Sequence, residues 1–232
     1  MKKRFLALLV LILMIFSVGA QASSDVNIHT LAFMDIKFNC GCTRYGTGTM
    51  IGRYGLITAA HNLYCPEHGQ NLKSCSFAFG SKSLRSAWYR YTGRFSYTVY
   101  DTFRNGYKSE NDIGYVIFDS PVGNETGWQD YIVGTDFDLN WEFTHVYTYD
   151  NKAKLGYLGL GQEDVISSTE VKLEGYLSGA EGGPVTVNYG DGDYPDYLIV
   201  AVYTSHDSSG NGYGRRITQN VINDMRADGA FR

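Results

Sequence analysis

Three short stretches of the chain carry residue types that can move a proton and attack a carbonyl group. His61 ends the run TAAH at residues 58–61, Asp112 stands directly before an apolar run, and Ser178 begins the run SGAEGGPV at residues 178–185. An imidazole takes and returns a proton, a carboxylate beside it fixes its tautomer, and a hydroxyl attacks. These three stretches together offer the residue types of a nucleophilic triad.

The elements around these residues are predicted to be β-strands. Residues 46–52 (GTGTMIG) and 56–61 (LITAAH) are short apolar runs with β-branched residues, broken by glycines, which is typical of two paired strands. Small residues before His61 allow a tight turn that presents the imidazole at the end of a strand. Asp112 opens the apolar run IGYVIF. Because strand interiors exclude carboxylates, Asp112 is either a turn residue or a functional acid.

These segments resemble those of a known family. GTGTMIG followed by LITAAH is similar to the histidine-bearing segment of trypsin-like serine proteases, and NDIGYVIF at residues 111–118 is similar to the segment with their triad aspartate. SPVGNETGW at residues 120–128 resembles the linker of bacterial glutamyl endopeptidase-like proteases, the most similar subgroup. The resemblance covers residues 46–217. It implies that His61 is the general base and Asp112 its orienting partner.

The resemblance also implies an all-β fold: two antiparallel six-stranded β-barrels of the trypsin-like fold with a C-terminal helix. The composition agrees, because 27 glycines, 19 tyrosines and only 4 prolines suit many short strands joined by tight turns. Helical periodicity appears only at residues 217–225. Residues 23–120 would form the N-terminal barrel with His61 and Asp112, and residues 121–232 the C-terminal barrel with the nucleophile segment.

The nucleophile segment departs from the family pattern. Trypsin-like proteases carry G-(D/N)-S-G-(G/S)-P-V, and alignment on GGPV at residues 182–185 puts Glu181 at the position of the serine. The resemblance then assigns the oxyanion hole to the backbone N–H groups of Gly179 and Glu181. A carboxylate that attacks an amide would form a mixed anhydride, which reverts more readily than it expels an amine. Its negative charge would also enter the pocket where the oxyanion develops.

These departures predict a catalytically impaired homologue, a pseudoprotease that binds a peptide or protein without cutting it. Two other interpretations retain an active secreted endopeptidase. In one, Ser178 is the nucleophile and residues are inserted after it; in the other, Glu181 replaces a serine of an active parent. Metal-assisted hydrolysis through His61 and Glu181 is disfavoured, because one imidazole and one carboxylate make an incomplete ligand set. No cofactor is expected.

The predicted substrate pocket is also altered. Glutamyl endopeptidase-like enzymes carry G-(I/V)-H-T on the strand that lines this pocket, whereas the present chain has AVYT at residues 201–204. Tyr203 and Thr204 are the predicted substrate-binding residues, and a preference for acidic side chains is not expected, since Tyr203 replaces the histidine that contacts a glutamate. His206 is taken as a surface residue. Surface or structural roles are expected for the histidines that have no motif around them: His29, His68 and His145.

The N-terminus is predicted to be a secretory signal peptide over residues 1–22. Three basic residues precede an apolar run at residues 5–16, and AQA at residues 20–22 offers a cleavage site. The apolar run is too short to span a bilayer comfortably, so no membrane association is expected after cleavage. The mature chain would be secreted, monomeric and acidic, because 24 Asp and Glu already exceed 20 Lys and Arg before cleavage. Nucleic acid is therefore an unfavourable partner.

Four cysteines lie in the first third of the chain: Cys40, Cys42, Cys65 and Cys75. An even number in a secreted chain predicts two disulfides, with three possible connectivities. A four-thiolate zinc site is the rival, but the C-x-C spacing differs from the usual C-x₂₋₄-C and the compartment would be oxidising. The resemblance implies a bridge between Cys42 and Cys65, which leaves Cys40 with Cys75. No metal site is expected.

Overall fold

The computed structural model of this chain describes residues 26–80, 86–133, 143–165, 167–177, 179, 181–188 and 197–232. The predicted signal peptide, residues 1–22, and the predicted alternative nucleophile, Ser178, lie outside these residues. In the described part, no helix is both long enough and apolar enough to cross a membrane. Most of the regular structure is antiparallel β-strand, which the short β-branched and aromatic runs favour.

The first half of the chain forms one antiparallel sheet of eight strands. The strands are β1 Leu31–Phe38, β2 Thr43–Met50, β3 Gly55–Thr58, β4 Tyr64–Cys65, β5 Gln70–Phe79, β6 Tyr89–Tyr91, β7 Phe95–Val99 and β8 Gly114–Phe118. Their order is β4-β5-β1-β2-β3-β8-β7, with β6 also paired to β5. The core of this sheet is aromatic: Phe77 packs edge-on against Phe118, with 5.0 Å between ring centres. Burial of such rings stabilises this half strongly.

The second half forms a closed antiparallel barrel of six strands. The strands are β9 Phe143–Tyr149, β10 Leu155–Val165, β11 Glu170–Leu173, β12 Pro184–Asn188, β13 Tyr197–His206 and β14 Gly212–Arg216. They close in the order β10-β11-β14-β13-β12-β9. Valines fill much of its core: Val146, Val171, Val185, Val187 and Val200. Their branched side chains pack well on a pleated surface, which favours the β-strand conformation in this half.

Helices are few and short. They are α1 Asp101–Arg104, α2 Gly123–Thr126 and α3 Gln219–Ala227, with 3₁₀ turns at Ile28–Thr30, Ala60–Asn62 and Ser109–Asn111. Helix α3 begins two residues later and ends two residues later than the helical pattern in the sequence. Its buried face consists of Val221, Ile222 and Met225, which lie three and four residues apart as one helical face requires.

Helix α3 lies between the two halves. Its buried face shares one cluster with Ile57 and Tyr115 of the first sheet and with Val202 of the second barrel. The Tyr115 hydroxyl also donates to Oδ2 of Asp228, directly after the helix, at 2.7 Å. Both halves have apolar residues facing this helix, so it buries more apolar area between them than on either one.

The predicted all-β architecture with a C-terminal helix is confirmed, and the second barrel has the six strands expected. The first half differs in detail: its described strands form an open sheet of eight strands rather than a closed barrel of six. The two extra pairings are short, with β4 of two residues and β6 of three, and both use the long strand β5. The predicted boundary between residues 120 and 121 falls between β8 and α2 and stays a prediction.

Candidate functional site

His61 lies in the 3₁₀ turn Ala60–Asn62, just after the end of β3. Ala59, directly before this turn, has an extended backbone (φ −68°, ψ 142°), and all three residues of the turn are buried. Alanines at 59 and 60 are fully buried, so larger side chains would have to displace packed neighbours. The run TAAH thus turns the chain tightly and leaves only the edge of the imidazole exposed, at 9 % of the residue.

Asp112 ends the 3₁₀ turn Ser109–Asn111 and precedes β8. Its carboxylate is buried but accepts two hydrogen bonds from His61: Oδ1 from the backbone N–H at 2.9 Å and Oδ2 from Nδ1 at 2.6 Å. These charge-assisted bonds offset the cost of burying the carboxylate. Because Nδ1 carries the hydrogen in this contact, Nε2 of His61 is left as the acceptor that general-base chemistry requires.

The pKa of His61 is raised above its ordinary value. Burial of the ring by itself lowers that pKa, but the charge and hydrogen bond of Asp112, followed by the charge of Glu181, raise it, while Arg44 opposes them. The two carboxylates therefore favour the imidazolium. Since a general base must be neutral to accept a proton, the carboxylate of Glu181 works against that role.

Glu181 lies in the loop before β12, and the first sheet fixes its backbone. Its carbonyl oxygen accepts from the N–H of Thr47 at 2.9 Å and from Nδ2 of Asn62 at 2.8 Å. The same Asn62 amide donates to Oγ1 of Thr58 at 3.0 Å, and that hydroxyl donates to the carbonyl of Thr47 at 2.6 Å. This network couples position 181 to the turn that carries His61.

Gly182 lets the two halves approach closely, and Gly183 lets the loop pack on β9 of its own barrel. Gly182 has φ +102°, and a Cβ there would lie 2.2 Å from the carbonyl oxygen of Thr47. A Cβ on Gly183 would lie 1.8 Å from the carbonyl oxygen of Tyr147. Only glycine fits both positions. The alignment on GGPV, which puts Glu181 at the nucleophile position, is consistent with this packing.

A cleft of about 320 Å³ connects the predicted site residues. Its wall includes His61, Asp112 and Glu181, with Arg44 and Thr204 also in contact with it. Glu181 is partly buried. Its charge helps to raise the pKa of His61 and also the pKa of Tyr203, whose side chain is buried in the second barrel. For Tyr203 burial is the larger cause and the Glu181 charge the second. The structure therefore brings an imidazole and two carboxylates to one opening.

The predicted oxyanion donors lie at the same loop. Among the described residues, the N–H groups of Gly179 and Glu181 donate to no acceptor. Gly179 packs against the backbone of β9, since a Cβ there would lie 3.1 Å from the carbonyl oxygen of Tyr149. Because Ser178 is not among the described residues, the structure does not relate it to His61. The Glu181 N–H therefore belongs to the same residue as the carboxylate that lines the cleft.

Tyr203 and Thr204 follow each other on β13 but have different surroundings. Tyr203 is buried at 1 % exposure, and its hydroxyl donates to the carbonyl oxygen of Leu177 at 3.1 Å. Its backbone holds the glycine loop, accepting from the N–H of Gly182 at 2.8 Å. Thr204 contacts the cleft, and its hydroxyl donates to the carbonyl of Tyr213 at 3.2 Å. Tyr203 therefore packs inside the barrel wall, and Thr204 faces the opening.

No disulfide is present in this structure, where all four cysteines are free thiols, so the two predicted bridges stay a prediction. Cys40, Cys42 and Cys65 lie together beside His68. Cys75 lies elsewhere, on β5 opposite Ile36, so the predicted partner of Cys40 is outside the group. The side chain of Cys75 is partly buried, and this desolvation raises the pKa of its thiol well above the ordinary value. The thiol therefore stays neutral, which lowers its reactivity.

Sequence reasoning missed the residues that hold the loop: Asn62, Thr47 and Thr58. Asn62 directly follows His61, yet its amide reaches a carbonyl 119 residues further along the chain. Nothing in the local sequence signals such a contact. The available hint was indirect: a short polar residue inside an apolar turn needs a partner when it is buried. Arg44 was missed for the same reason, because its position in the cleft depends on the pairing of β1 with β2.

The comparison with curated proteins gives one distant relative. It is an extracellular metalloprotease of Bacillus subtilis (strain 168), 24 % identical over 198 residues. The match covers 83 % of this chain and 61 % of the relative, so the chain spans about three fifths of the relative's length. No protein-family model matches the chain.

Solved structures give a clear result for the fold. A Glu endopeptidase in complex with MPD has a TM-score of 0.70 at 17 % identity, covering 92 % of this chain and 96 % of its own. The thermostable serine protease AL20, from an extremophilic microorganism, has a TM-score of 0.72 at 13 % identity, covering 88 % and 99 %. Anisep, a protease from Arthrobacter nicotinovorans, has 0.72 at 10 %, covering 89 % and 98 %. The chain therefore has the trypsin-like serine protease fold.

Proposed function

We propose that this chain is a secreted pseudoprotease: a trypsin-like serine protease homologue that holds a peptide or protein segment in its cleft without cutting it. One observation carries the proposal. The His61–Asp112 pair has a 2.6 Å contact suited to a general base, while the loop position that faces it from the second barrel is occupied by Glu181. The curated relative and the structural neighbours named above are proteases, which supports a peptide segment as the ligand.

Glu181 is unsuited to replace a serine for three reasons. Its carboxylate would form an anhydride that returns to the starting amide more readily than it releases an amine. Its charge raises the pKa of His61 beyond the rise that Asp112 causes, and so favours the protonated ring that cannot act as a base. Finally, the negative charge is on the residue whose own N–H is one of the two expected oxyanion donors, where an oxyanion would have to be stabilised.

Metal-assisted hydrolysis at this cleft is not supported, although the curated relative is named a metalloprotease. Among the described residues, no group of three or more His, Cys, Asp and Glu side chains that could share an ion includes His61, Asp112 or Glu181. The contact between His61 and Asp112 also uses Nδ1 of the ring and both carboxylate oxygens. A hydrolytic zinc site needs three protein ligands and an open position.

The proposal is tested by the single substitution Glu181→Ser. A hydroxyl at 181 would face the His61–Asp112 pair and the backbone donors, so hydrolysis of a peptide or ester library should appear, where a positioned base supplies on the order of 10²–10⁴ in rate. The unsubstituted chain should bind peptides from the same library, measured by fluorescence anisotropy, without cleaving them. Turnover by the unsubstituted chain would contradict the proposal.

Two controls make the result specific. Glu181→Ala removes the same charge without supplying a nucleophile and should remain inactive. Glu181→Ser combined with His61→Ala should lose the activity and the labelling by a fluorophosphonate probe that Glu181→Ser alone acquires. A folded Glu181→Ser protein with no turnover would mean that the site has decayed beyond the nucleophile. Probe attached to Ser178 in the unsubstituted chain would favour the active-endopeptidase alternative.

Secretion is tested separately. N-terminal sequencing of protein recovered from the culture medium should begin at residue 23, directly after AQA at residues 20–22. An intact N-terminus on the isolated protein would contradict signal-peptide cleavage but leave the cleft chemistry untouched.

A further inference from the structure

Three cysteines and a histidine form a compact cluster beside the cleft. Sγ of Cys40, Cys42 and Cys65 and Nδ1 of His68 all lie within 4.8 Å of one another. Nδ1 of His68 is 3.5 Å from Sγ of Cys42 and 3.5 Å from Sγ of Cys65. A surface or structural role was expected for His68 from the sequence, because no motif surrounds it.

These separations match a tetrahedral zinc site. With Zn–S of about 2.3 Å and Zn–N of about 2.0–2.1 Å, tetrahedral angles place sulfur and nitrogen about 3.6 Å apart and two sulfurs about 3.8 Å apart. The observed contacts of 3.5 Å between His68 and two sulfurs already have this length. Three thiolates and one imidazole are soft and borderline donors, which favour zinc over calcium or magnesium.

We propose that Cys40, Cys42, Cys65 and His68 bind one structural zinc ion. All four coordination positions are filled by protein, so the site is closed and differs from a catalytic one, which keeps a position for water. This inference goes beyond the proposed function and is independent of it, because no group of the cleft is a ligand.

The backbone holds both pairs of donors in place. Cys40 and Cys42 lie in the tight turn between β1 and β2, where Gly41 has φ +90° and the N–H of Phe38 donates to the carbonyl of Cys42 at 2.9 Å. Cys65 ends β4, opposite Gln70 of β5. Strand β5 pairs with β1 as well as β4, so the same strand supports both donor segments. The donors therefore need little reorganisation on binding, which lowers the entropic cost.

Zinc binding at this cluster releases protons but involves no redox change. Three S–H bonds break, three Zn–S bonds and one Zn–N bond form, and three protons leave to solvent, with no oxidation or reduction. Without zinc, Sγ of Cys65 donates to Oε2 of Glu67 at 3.2 Å, a contact that a thiolate gives up. Glu67 keeps its ion pair with Arg44, so its carboxylate does not become an unpartnered charge.

Zinc at this position would fasten the walls of the cleft. Arg44 follows Cys42 by two residues, and Pro66 follows Cys65 directly; both contact the cleft. The ion would join the β1–β2 turn to the segment after the His61 turn, an arrangement for which the sequence analysis expected a disulfide. Both kinds of crosslink restrict the unfolded chain, so the structural role is the same and the chemistry differs.

The experiment measures zinc in the full chain purified without chelator. Elemental analysis should give one zinc per chain. Cys40→Ser and His68→Ala should weaken zinc binding by at least about tenfold in competition with a chromophoric chelator. Cys75→Ser and His206→Ala are the matched controls, because Cys75 lies outside the cluster and His206 stacks on Tyr176 instead. Both should retain one zinc.

A second measurement covers variants that fail to fold. Cobalt(II) added to the reduced, metal-free unsubstituted protein should produce the strong visible bands of a tetrahedral thiolate site and a thiolate-to-metal charge-transfer band, and zinc should abolish both. The proposal is overturned by cobalt spectra typical of octahedral coordination, by equal zinc in His68→Ala and His206→Ala, or by a Cys42–Cys65 disulfide in zinc-free protein as isolated.

Discussion

The two halves of the cleft differ in what they preserve. The first sheet supplies the His61–Asp112 pair with its contacts complete, at 2.9 and 2.6 Å. The second barrel supplies the nucleophile loop with its backbone complete and the wrong side chain, Glu181. The difference teaches that the shape of this loop and its chemistry have separate determinants: glycine packing sets the shape, and one side chain sets the chemistry.

Energetics explain how that separation is possible. The buried carboxylate of Asp112 is satisfied by His61 alone, so removing the nucleophile leaves no unpaired charge in the first sheet. In the second barrel the loop is held through the carbonyl of Glu181 and the N–H of Gly182. None of these contacts uses the side chain at 181. A change of that side chain is therefore expected to alter the free energy of unfolding little, while it removes the nucleophile that hydrolysis needs.

The largest effect is expected for Gly182→Ala, which attacks the shape rather than the chemistry. The new Cβ would lie 2.2 Å from the carbonyl oxygen of Thr47, on a backbone with φ +102°. We expect a loss of about 4 kcal/mol in the free energy of unfolding, since backbone strain and a backbone clash add. Chemical denaturation monitored by tryptophan fluorescence measures the loss.

Gly210→Ala is the matched control for that prediction. Gly210 has a similar φ of +89°, but the nearest atom to a Cβ there is a ring carbon of Tyr176 at 4.0 Å. Only the conformational cost of about 1–2 kcal/mol should remain. Equal losses for Gly182→Ala and Gly210→Ala would show that the close approach of the two halves contributes nothing, and would remove the basis of the comparison.

What could be predicted from the sequence was what short, local runs encode. TAAH at residues 58–61 and the Asp112 segment carry their own turn and strand signals, so the order of the site residues followed from them. GGPV at residues 182–185 gave the register of the loop, because each glycine there is required by backbone contacts. The short β-branched runs predicted the strands of the second half, and the resemblance implied that they close into a barrel.

What could not be predicted depends on contacts between distant segments. Asn62 shows no local sign that it holds the carbonyl of Glu181, and His68 shows none that it faces Cys42 and Cys65. Counting cysteines led to disulfides, because a histidine contributes nothing to that count. The packing of α3 between the halves could not be predicted either, because one apolar helix face does not identify the surface that covers it.

An intermediate effect is expected for Asn62→Ala, which weakens the link between the two regions. Nδ2 of this fully buried residue donates to the carbonyl of Glu181 at 2.8 Å and to Oγ1 of Thr58 at 3.0 Å. Losing both bonds should reduce the free energy of unfolding by about 2 kcal/mol. The loss should be visible as a lower melting temperature by calorimetry.

The control for Asn62→Ala is Asn124→Ala. Asn124 makes one exposed side-chain contact, accepting from Nε of Arg53 at 3.0 Å, so its removal should change the free energy of unfolding by less than about 0.5 kcal/mol. In Glu181→Ser protein, the added change Asn62→Ala should also lower turnover, since the loop would no longer be held against the His61 turn. Unchanged turnover would separate loop position from activity.

The smallest effect is expected for Glu181→Gln, which removes the charge and nearly keeps the shape. The pKa of His61 should fall, because the Glu181 carboxylate is one of the groups that raise it. Asp112→Asn should lower that pKa further, since burial, which by itself lowers it, would then act with less opposition. Titration of the His61 ring by NMR measures both shifts.

The same substitution should change how stability depends on pH, and the sign follows from the raised pKa. The stabilisation that His61 gains from its carboxylates is fully present below its ordinary pKa of about 6.5 and is lost as the pH rises through the higher folded value. Glu181→Gln lowers the folded value, so the loss should still begin near the ordinary pKa but should be smaller and end at a lower pH than in the unsubstituted chain, as melting temperatures across this range would show. Identical pH profiles, together with an unshifted ring titration, would mean that the Glu181 carboxylate does not act on His61. The charge of Glu181 would then have no electrostatic effect on the imidazole across the cleft.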